Sequence, residues 1–216
     1  MTVPGCQLYL ISPLDVAGAF PERLIRAIEA GPVAAFQFRI KDVDEHAAVK
    51  LAEPLMEICA ARDVAFIVND SISLAKRLGA DGVHLGQNDG DVADARARLG
   101  RDAQIGVAAM DSRHLAMEAG EAGADYVSFG AFFPSQTKVT SHAADLDLLR
   151  WWSGLFELPV VAIGGITPAN CVPLVAAGAD FLATCHAVWS GDEARAVAEF
   201  AQAIAMGSAL RGEASA

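Results

Sequence analysis

An amide and two cations alternate with apolar residues in the segment AAFQFRIKD, residues 34–42. Residues two apart on a β-strand point to the same face, so Gln37, Arg39 and Lys41 would share one side of a strand. Guanidinium and ammonium groups suit phosphate oxygens. The pattern therefore predicts an anion-binding face, and the surrounding elements must show what that face borders.

Two aspartates follow neighbouring strand candidates. Asp70 ends the run AFIVND (65–70), and Asp89 comes shortly after GVHLG (82–86). Neighbouring strands of a sheet lie about 4.8 Å apart, so the two carboxylates are expected to be close. Mg²⁺ is commonly held by one or two carboxylates together with phosphate oxygens of a substrate. The sequence therefore predicts a magnesium site made of Asp70 and Asp89.

Further polar residues follow later strand candidates. Lys138 offers a third cation after the strand candidate 126–132. The pair Gly164-Gly165 ends the strand candidate 159–165 and would let the backbone approach a ligand. A helix is predicted to begin near Thr167 and to aim its N-terminus at the same place, which suits phosphate. His186 is predicted to lie near the carboxyl end of the strand candidate 181–188.

Each of these residues also has an ordinary structural interpretation. Arg39 could pair with Asp70 in the core, Asp70 could cap a helix over 71–78, and Asp89 and Lys138 could be surface residues. The glycine pair could form an ordinary turn. His84, inside an apolar strand, is interpreted as a structural histidine. A functional site is favoured because the polar residues all fall at one end of the strands.

Eight short apolar runs alternate with longer amphipathic runs, which predicts repeated βα units. The strand candidates are 7–12, 34–40, 65–70, 82–86, 104–109, 126–132, 159–165 and 181–188, and the helix candidates include 44–61, 71–78, 91–98, 111–122, 167–176 and 190–206. LGADGVHLG (78–86), AGADYVSFG (122–130) and AGADFLATC (177–185) repeat one helix–turn–strand pattern. Eight units in 216 residues predict a single (β/α)8 TIM barrel, near the lower size limit of about 200 residues. A doubly wound open sheet is the alternative. One domain over 1–216 is expected, with the tail after about 206 frayed.

Composition narrows the classes of function. The chain is 53% hydrophobic, with a formal net charge of -11. That balance argues against general binding to nucleic acid or to anionic membranes. No apolar run approaches the ~20 residues that span a bilayer, and the first residues lack the pattern of a signal peptide. Four cysteines without metal-binding spacing predict thiols of a cytoplasmic protein. A homo-oligomer is possible.

Six segments resemble the thiamine phosphate synthase and thiazole tautomerase-like family. They follow the family order over nearly the whole chain. They are QFRIK (37–41), IVND (67–70), ADGVHLGQND (80–89), GADYVSFGAFFPSQTK (123–138), VVAIGGITPAN (160–170) and AGADF (177–181). The resemblance implies a (β/α)8 barrel, a Mg²⁺ cofactor and small phosphorylated substrates. It implies a synthase that joins a hydroxymethylpyrimidine pyrophosphate to a thiazole phosphate and releases pyrophosphate.

The resemblance also implies roles for individual residues. The pyrimidine pyrophosphate would be held by Gln37, Arg39, Lys41 and Asn69, and Mg²⁺ by Asp70 and Asp89. Ser135, Thr137 and Lys138 would belong to a loop covering both substrates. Gly165 and the end of strand eight, Cys185 and His186, would bind the thiazole phosphate. Arg39, Lys41 and Lys138 would be catalytic because they stabilise the departing pyrophosphate.

The chain departs from the family pattern at several positions. Strand five usually reads G-V-S-x-H, whereas Ala108 and Met110 replace the Ser and the His here. Ala131 replaces a Pro, Ser135 replaces a Thr, and His186 stands where a small hydroxyl residue is usual. The cation and metal residues are kept, which argues against tautomerase activity. Three functions remain open: the transferase, a non-catalytic paralogue that binds thiamine-related phosphates, and a phosphate-handling isomerase.

Overall fold

The computed structural model describes residues 5–134 and 143–214, which contain a closed barrel of eight parallel strands. Each strand pairs with its neighbours in sequence, and β8 closes the barrel against β1. The strands are β1 Gln7–Ile11, β2 Val33–Phe38, β3 Ala65–Asn69, β4 Gly82–Leu85, β5 Gln104–Met110, β6 Tyr126–Phe129, β7 Val160–Ile163 and β8 Phe181–Thr184. The predicted TIM barrel is confirmed, and the open-sheet alternative is wrong.

Helices connect the strands around the outside of the barrel. They are α1 Phe20–Glu29, α2 Glu45–Ala60, α3 Ile72–Leu78, α4 Val92–Leu99, α5 Arg113–Glu121, α6 Leu146–Leu155, α7 Val172–Ala176, α8 His186–Trp189 and α9 Glu193–Ala214. Side chains cap several of them: the Ser71 hydroxyl accepts the amide hydrogen of Leu74 at the start of α3. Helix α1 follows Ala19, which makes no side-chain cap.

Three expectations about element boundaries are wrong. Helix α7 begins at Val172 rather than near Thr167, because the Asn170 side chain holds the intervening segment in a turn. Strand β8 ends at Thr184, so His186 is the first residue of α8 and not a strand residue. Helix α9 continues to Ala214, beyond the end of the helix candidate 190–206.

The alternation along β2 divides its side chains between two cores. Phe36 and Phe38 pack outward into the large core between the barrel and the helices. Ala35 belongs to a second cluster inside the barrel, with Tyr9 and Tyr126 among its members. Gln37 lies in register between Ile11 and Ile67 and shares the inward side with Ala35. Of the three polar residues predicted to share one face of this strand, Gln37 therefore lies inside the barrel, whereas Arg39 and Lys41 lie beyond the end of β2 at Phe38.

The repeated Gly-Ala-Asp segment forms one contact at the amino ends of the strands. The carboxylates of Asp81, Asp125 and Asp180 accept the amide hydrogens of Phe66, Ile105 and Val160, at 2.7, 2.6 and 3.0 Å. The amide of each aspartate donates in return to the carbonyl of the same partner residue. These two-point contacts join β3 to β4, β5 to β6 and β7 to β8. They leave the opposite end, at the carboxyl ends of the strands, open for a site.

Candidate active site at the carboxyl ends of the strands

The segment that follows β2 carries its two cations into the mouth of the barrel. Arg39 is half-buried just beyond the end of β2, and Lys41 is exposed. Both lie close enough to the Asp70 carboxyl group to lower its pKa. The two cations and the first predicted metal ligand therefore share one mouth.

Asp70 and Asp89 form a carboxylate pair at the ends of β3 and β4. Partial burial of its carboxyl group and the neighbouring Asp89, which also hydrogen bonds to it, raise the pKa of Asp70 to about 6, although the residue as a whole is exposed. The Asp89 carboxylate also accepts the amide hydrogen of Gly86 at 2.9 Å. Ser71 caps α3, so the helix-cap interpretation of Asp70 is wrong.

The backbone around Asp70 supports this placement. Asp70 adopts a left-handed conformation with φ 66°, and its amide donates to the carbonyl of His84 at 2.9 Å. Asn69 is half-buried at the end of β3 and is in register with His84. The chain therefore turns sharply where the strand ends, with Asn69 and Asp70 at the rim.

A network of hydrogen-bonded side chains forms the floor beneath this mouth. Gln37 is 4% exposed and donates to the Tyr9 hydroxyl at 3.0 Å. The Tyr9 and Tyr126 hydroxyls lie 2.9 Å apart, and the Tyr126 hydroxyl lies 3.1 Å from Nδ1 of His84. Ser128 Oγ lies 3.4 Å from Nε2 of the same ring. Gln37 is thus close to the cations in sequence but deeper in the barrel.

His84 is a neutral member of that floor. Burial lowers the pKa of its imidazole to about 4, while Asp89 acts weakly in the opposite direction. Its ring stacks on Tyr126 with centroids 5.6 Å apart. These contacts agree with the interpretation of His84 as a structural histidine. Sequence reasoning missed the network as a whole, although each member occupies an inward position of a strand.

The loop after β7 approaches the start of the β6–α6 loop. Gly165 has φ 62°, and a Cβ atom there would lie 2.4 Å from the carbonyl oxygen of Pro134. Asn170 donates to the Gly165 carbonyl at 3.0 Å and accepts the Thr167 amide hydrogen at 2.8 Å. Only glycine suits Gly165, because both its left-handed backbone and this close approach exclude a side chain.

The segment after β8 forms the part of the mouth next to strands β7 and β8. Cys185 is partly buried, and its thiol donates to the Ser12 carbonyl at 3.5 Å. Burial raises the pKa of this thiol, and the nearby Arg39 acts in the opposite direction. His186 is exposed at the start of α8. Phosphate sites in such barrels are often built from the loops after strands seven and eight and a short extra helix, and α8 is a helix of this kind.

Strand β5 contributes less than the family pattern suggests. Ala108 is half-buried in register with Ser128 and brings no hydroxyl group. Its carbonyl accepts a hydrogen bond from the Gln87 side chain at 2.6 Å. The remaining residues predicted for the site, Ser135, Thr137 and Lys138, lie outside the described residues.

The described ranges contain no group of three or more His, Cys, Asp or Glu residues that could hold a metal ion. No helix within these ranges is long and apolar enough to cross a membrane.

The fold and the residues at the mouth define the class of protein. A closed parallel barrel whose carboxyl end gathers a carboxylate pair, two cations and a glycine loop is suited to phosphate chemistry. Residues 8–188 match the family model described as thiamine monophosphate synthase. The chain belongs to this family.

Individual relatives agree with the family model. The chain is 68% identical over 203 residues to the thiamine-phosphate synthase of Erythrobacter litoralis, covering 92% of this chain and 95% of the relative. It is 52% identical over 198 residues to that of Rhodospirillum centenum, covering 90% and 96%. Among solved structures, thiamine phosphate pyrophosphorylase from Pyrococcus furiosus superimposes with a TM-score of 0.83 at 29% identity, covering 93% and 96%.

Proposed function

We propose that the chain is a transferase of thiamine biosynthesis that joins hydroxymethylpyrimidine pyrophosphate to thiazole phosphate. The products are thiamine phosphate and pyrophosphate. The observation that carries the proposal is the shared mouth, in which Arg39 and Lys41 lie close enough to the Asp70 carboxyl group to lower its pKa and Asp89 lies beside it. The synthases that match the chain over at least 90% of its length support the same reaction.

The carboxylate pair fits a magnesium ion. Mg²⁺ is typically bound through one or two carboxylates, with water and substrate phosphate supplying the other ligands. Two contacting carboxyl groups at an open mouth, with no third acidic or histidine ligand grouped with them among the described residues, match that donor set. Asp70 and Asp89 would hold the ion, which would supply Lewis-acid stabilisation of the pyrophosphate.

The chain's own cations would bind the leaving group. Arg39 offers a planar fork of donors to phosphate oxygens, and Lys41 offers a mobile point charge at the rim. Negative charge accumulates on the pyrophosphate as its bond to the pyrimidine methylene breaks, so fixed cations stabilise the transition state more than the ground state. Lys138 would add a third charge from the loop after β6.

The floor and the far rim would position the two reacting rings. The pyrimidine would lie above Gln37 and Asn69, with its methylene facing the β7–β8 side. The thiazole phosphate would lie near Gly165, Cys185 and His186, which brings the ring nitrogen towards that methylene. The electron-rich pyrimidine stabilises positive charge there, so the nitrogen attacks without a protein nucleophile or a strong general base.

The comparisons favour this transferase over the two alternatives. A non-catalytic paralogue was suggested by Ala108, Met110 and His186, and the isomerase rested on analogy of fold alone. Free thiols at Cys6, Cys59, Cys171 and Cys185 agree with a proposed cytoplasmic location.

The proposal is tested by incubating purified protein with both substrates and Mg²⁺ and measuring thiamine phosphate by mass spectrometry. Product is expected only when both substrates are present. Binding of the pyrimidine pyrophosphate without any product would support the non-catalytic paralogue instead. For the metal-site variant Asp89→Asn, a suitable control is Asp91→Asn, because Asp91 caps α4 and lies close to Asp89 in sequence.

A further inference from the structure

Ser12 lies just beyond β1, and its fully buried side chain contacts the backbone of Arg39. The residue is 0% exposed. Its hydroxyl accepts the amide hydrogen of Arg39 at 2.9 Å and donates to the carbonyl of the same residue at 3.0 Å. One hydroxyl can do both at once, because it has one hydrogen and two lone pairs. Ser12 therefore holds Arg39 at two points.

This contact continues the β1–β2 pairing past the end of the strands. The register of the two strands ends at Ile11 and Gln37, and the amide of Ser12 then donates to the Gln37 carbonyl at 2.9 Å. From that point the Ser12 hydroxyl replaces the backbone ladder. Arg39, which has left the strand, thus keeps a fixed backbone from which its guanidinium reaches the mouth.

The other side of Ser12 is held by the segment after β8. The Cys185 thiol donates to the Ser12 carbonyl at 3.5 Å. The buried indole N–H of Trp189 donates to the Ile11 carbonyl at 2.7 Å. The Trp189 ring packs against Phe20 with centroids 4.9 Å apart. The end of β1 is therefore fixed from both neighbours and can serve as a rigid support.

We propose that Ser12 is a positioning residue that acts on the pyrophosphate through Arg39, an inference that rests on the proposed function. Loss of the hydroxyl leaves the Arg39 amide and carbonyl to water, which the half-exposed residue can reach. The main consequence is then a less fixed guanidinium rather than a failure to fold. Misplacement of a binding group by about 1 Å can cost up to about a hundredfold in rate.

The test compares Ser12→Ala with Ser153→Ala in the full chain. Ser153 is a matched control, since its hydroxyl also donates to a backbone carbonyl, that of Ala177 at 3.4 Å, on the helical layer. For Ser12→Ala, the KM for the pyrimidine pyrophosphate is expected to rise about tenfold, with the KM for thiazole phosphate changed less than about twofold. Equal rises in both KM values, or none, would overturn the proposal.

A double-variant cycle separates positioning from a direct role. If Ser12 acts through Arg39, Ser12→Ala should lower kcat/KM for the pyrimidine pyrophosphate in the wild-type background. In a protein that already carries Arg39→Ala, the same substitution should have little further effect on kcat/KM. Full additivity of the two losses would contradict the proposal.

A binding measurement distinguishes this inference from the proposed function. If wild type makes no thiamine phosphate, the transferase proposal fails, and calorimetry with inorganic pyrophosphate and Mg²⁺ still tests Ser12. Weaker binding by Ser12→Ala, with binding by Ser153→Ala unchanged, would support the positioning role. Equal binding by both variants, or no binding by wild type, would overturn it.

Discussion

The carboxyl groups of Asp70 and Asp89 contact each other at the ends of two neighbouring strands. Partial burial of the Asp70 carboxyl group, together with repulsion from the nearby Asp89 when both groups are ionised, raises the pKa of Asp70 to about 6. Arg39 and Lys41 offset part of that repulsion. A bound divalent cation would offset it further, which is why this pair is the proposed metal site.

The raised pKa predicts a specific pH dependence of stability. The unfolded pKa of an aspartate is about 3.9, below the folded value of about 6, so the folded protein holds this proton more tightly. The stability from that proton is fully present below about pH 4 and is lost as pH rises through about 6. Asp70→Asn cannot ionise, and asparagine tolerates the left-handed backbone.

In thermal unfolding without metal, the stability of Asp70→Asn relative to wild type should therefore increase as the pH is raised from about 4 to about 8. Asp102→Asn is the control, because the Asp102 side chain is 95% exposed and pairs with the neighbouring Arg101 at 3.5 Å. A difference between Asp70→Asn and wild type that is the same at every pH would contradict the raised pKa of Asp70.

Gly106 should tolerate no side chain. A Cβ atom there would lie 1.9 Å from Cζ of Tyr126, whose hydroxyl belongs to the buried floor network. Gly106→Ala is expected to cost about 3 kcal/mol of unfolding free energy through overpacking. Denaturant unfolding checks this against Gly154→Ala, where nothing lies within 4 Å and a helical alanine should stabilise by about 0.5–1 kcal/mol. Equal effects of the two substitutions would refute the packing account.

The Asp125 contact at the amino ends of the strands should support the fold without affecting the reaction. Asp125→Ala removes the partner of the buried Ile105 amide and of Arg96. The expected loss is about 1–3 kcal/mol of unfolding free energy, with kcat nearly unchanged because the mouth is at the other end. Asp102→Ala should change stability by less than about 0.5 kcal/mol. A large fall in kcat for Asp125→Ala at a temperature where it is folded would contradict this separation.

Ala108→Ser should restore a donor that the family pattern places on β5. Ala108 is half-buried beside Ser128. A hydrogen bond to a charged group is worth about 1.5–3 kcal/mol, and water replaces part of it at an open mouth. The KM for the pyrimidine pyrophosphate is therefore expected to fall severalfold, as measured by steady-state kinetics. An unchanged or higher KM would show that position 108 does not face the pyrophosphate.

Much of this architecture could be predicted from the sequence, because the spacing of apolar and polar residues and their positions relative to the strand ends indicate it. The alternation along β2 identified Gln37 as an inward residue, although Arg39 and Lys41 lie beyond the strand, which ends at Phe38. The Gly-Ala-Asp repeat identified the units of the barrel. Two features could not be predicted. The Asn170 turn delays α7 until Val172 through side-chain bonds. The Ser12–Arg39 contact joins positions 27 residues apart, and nothing in either local pattern indicates it.

The most direct test of the account is the initial rate of pyrophosphate release with both substrates, measured against Mg²⁺ concentration in wild type, Asp89→Asn and Asp91→Asn. Wild type and Asp91→Asn are expected to release one pyrophosphate for each thiamine phosphate formed, and to lose this activity when Mg²⁺ is chelated. Asp89→Asn should show little activity at any Mg²⁺ concentration. Release without thiazole phosphate, or an Asp89→Asn rate equal to wild type, would contradict the account.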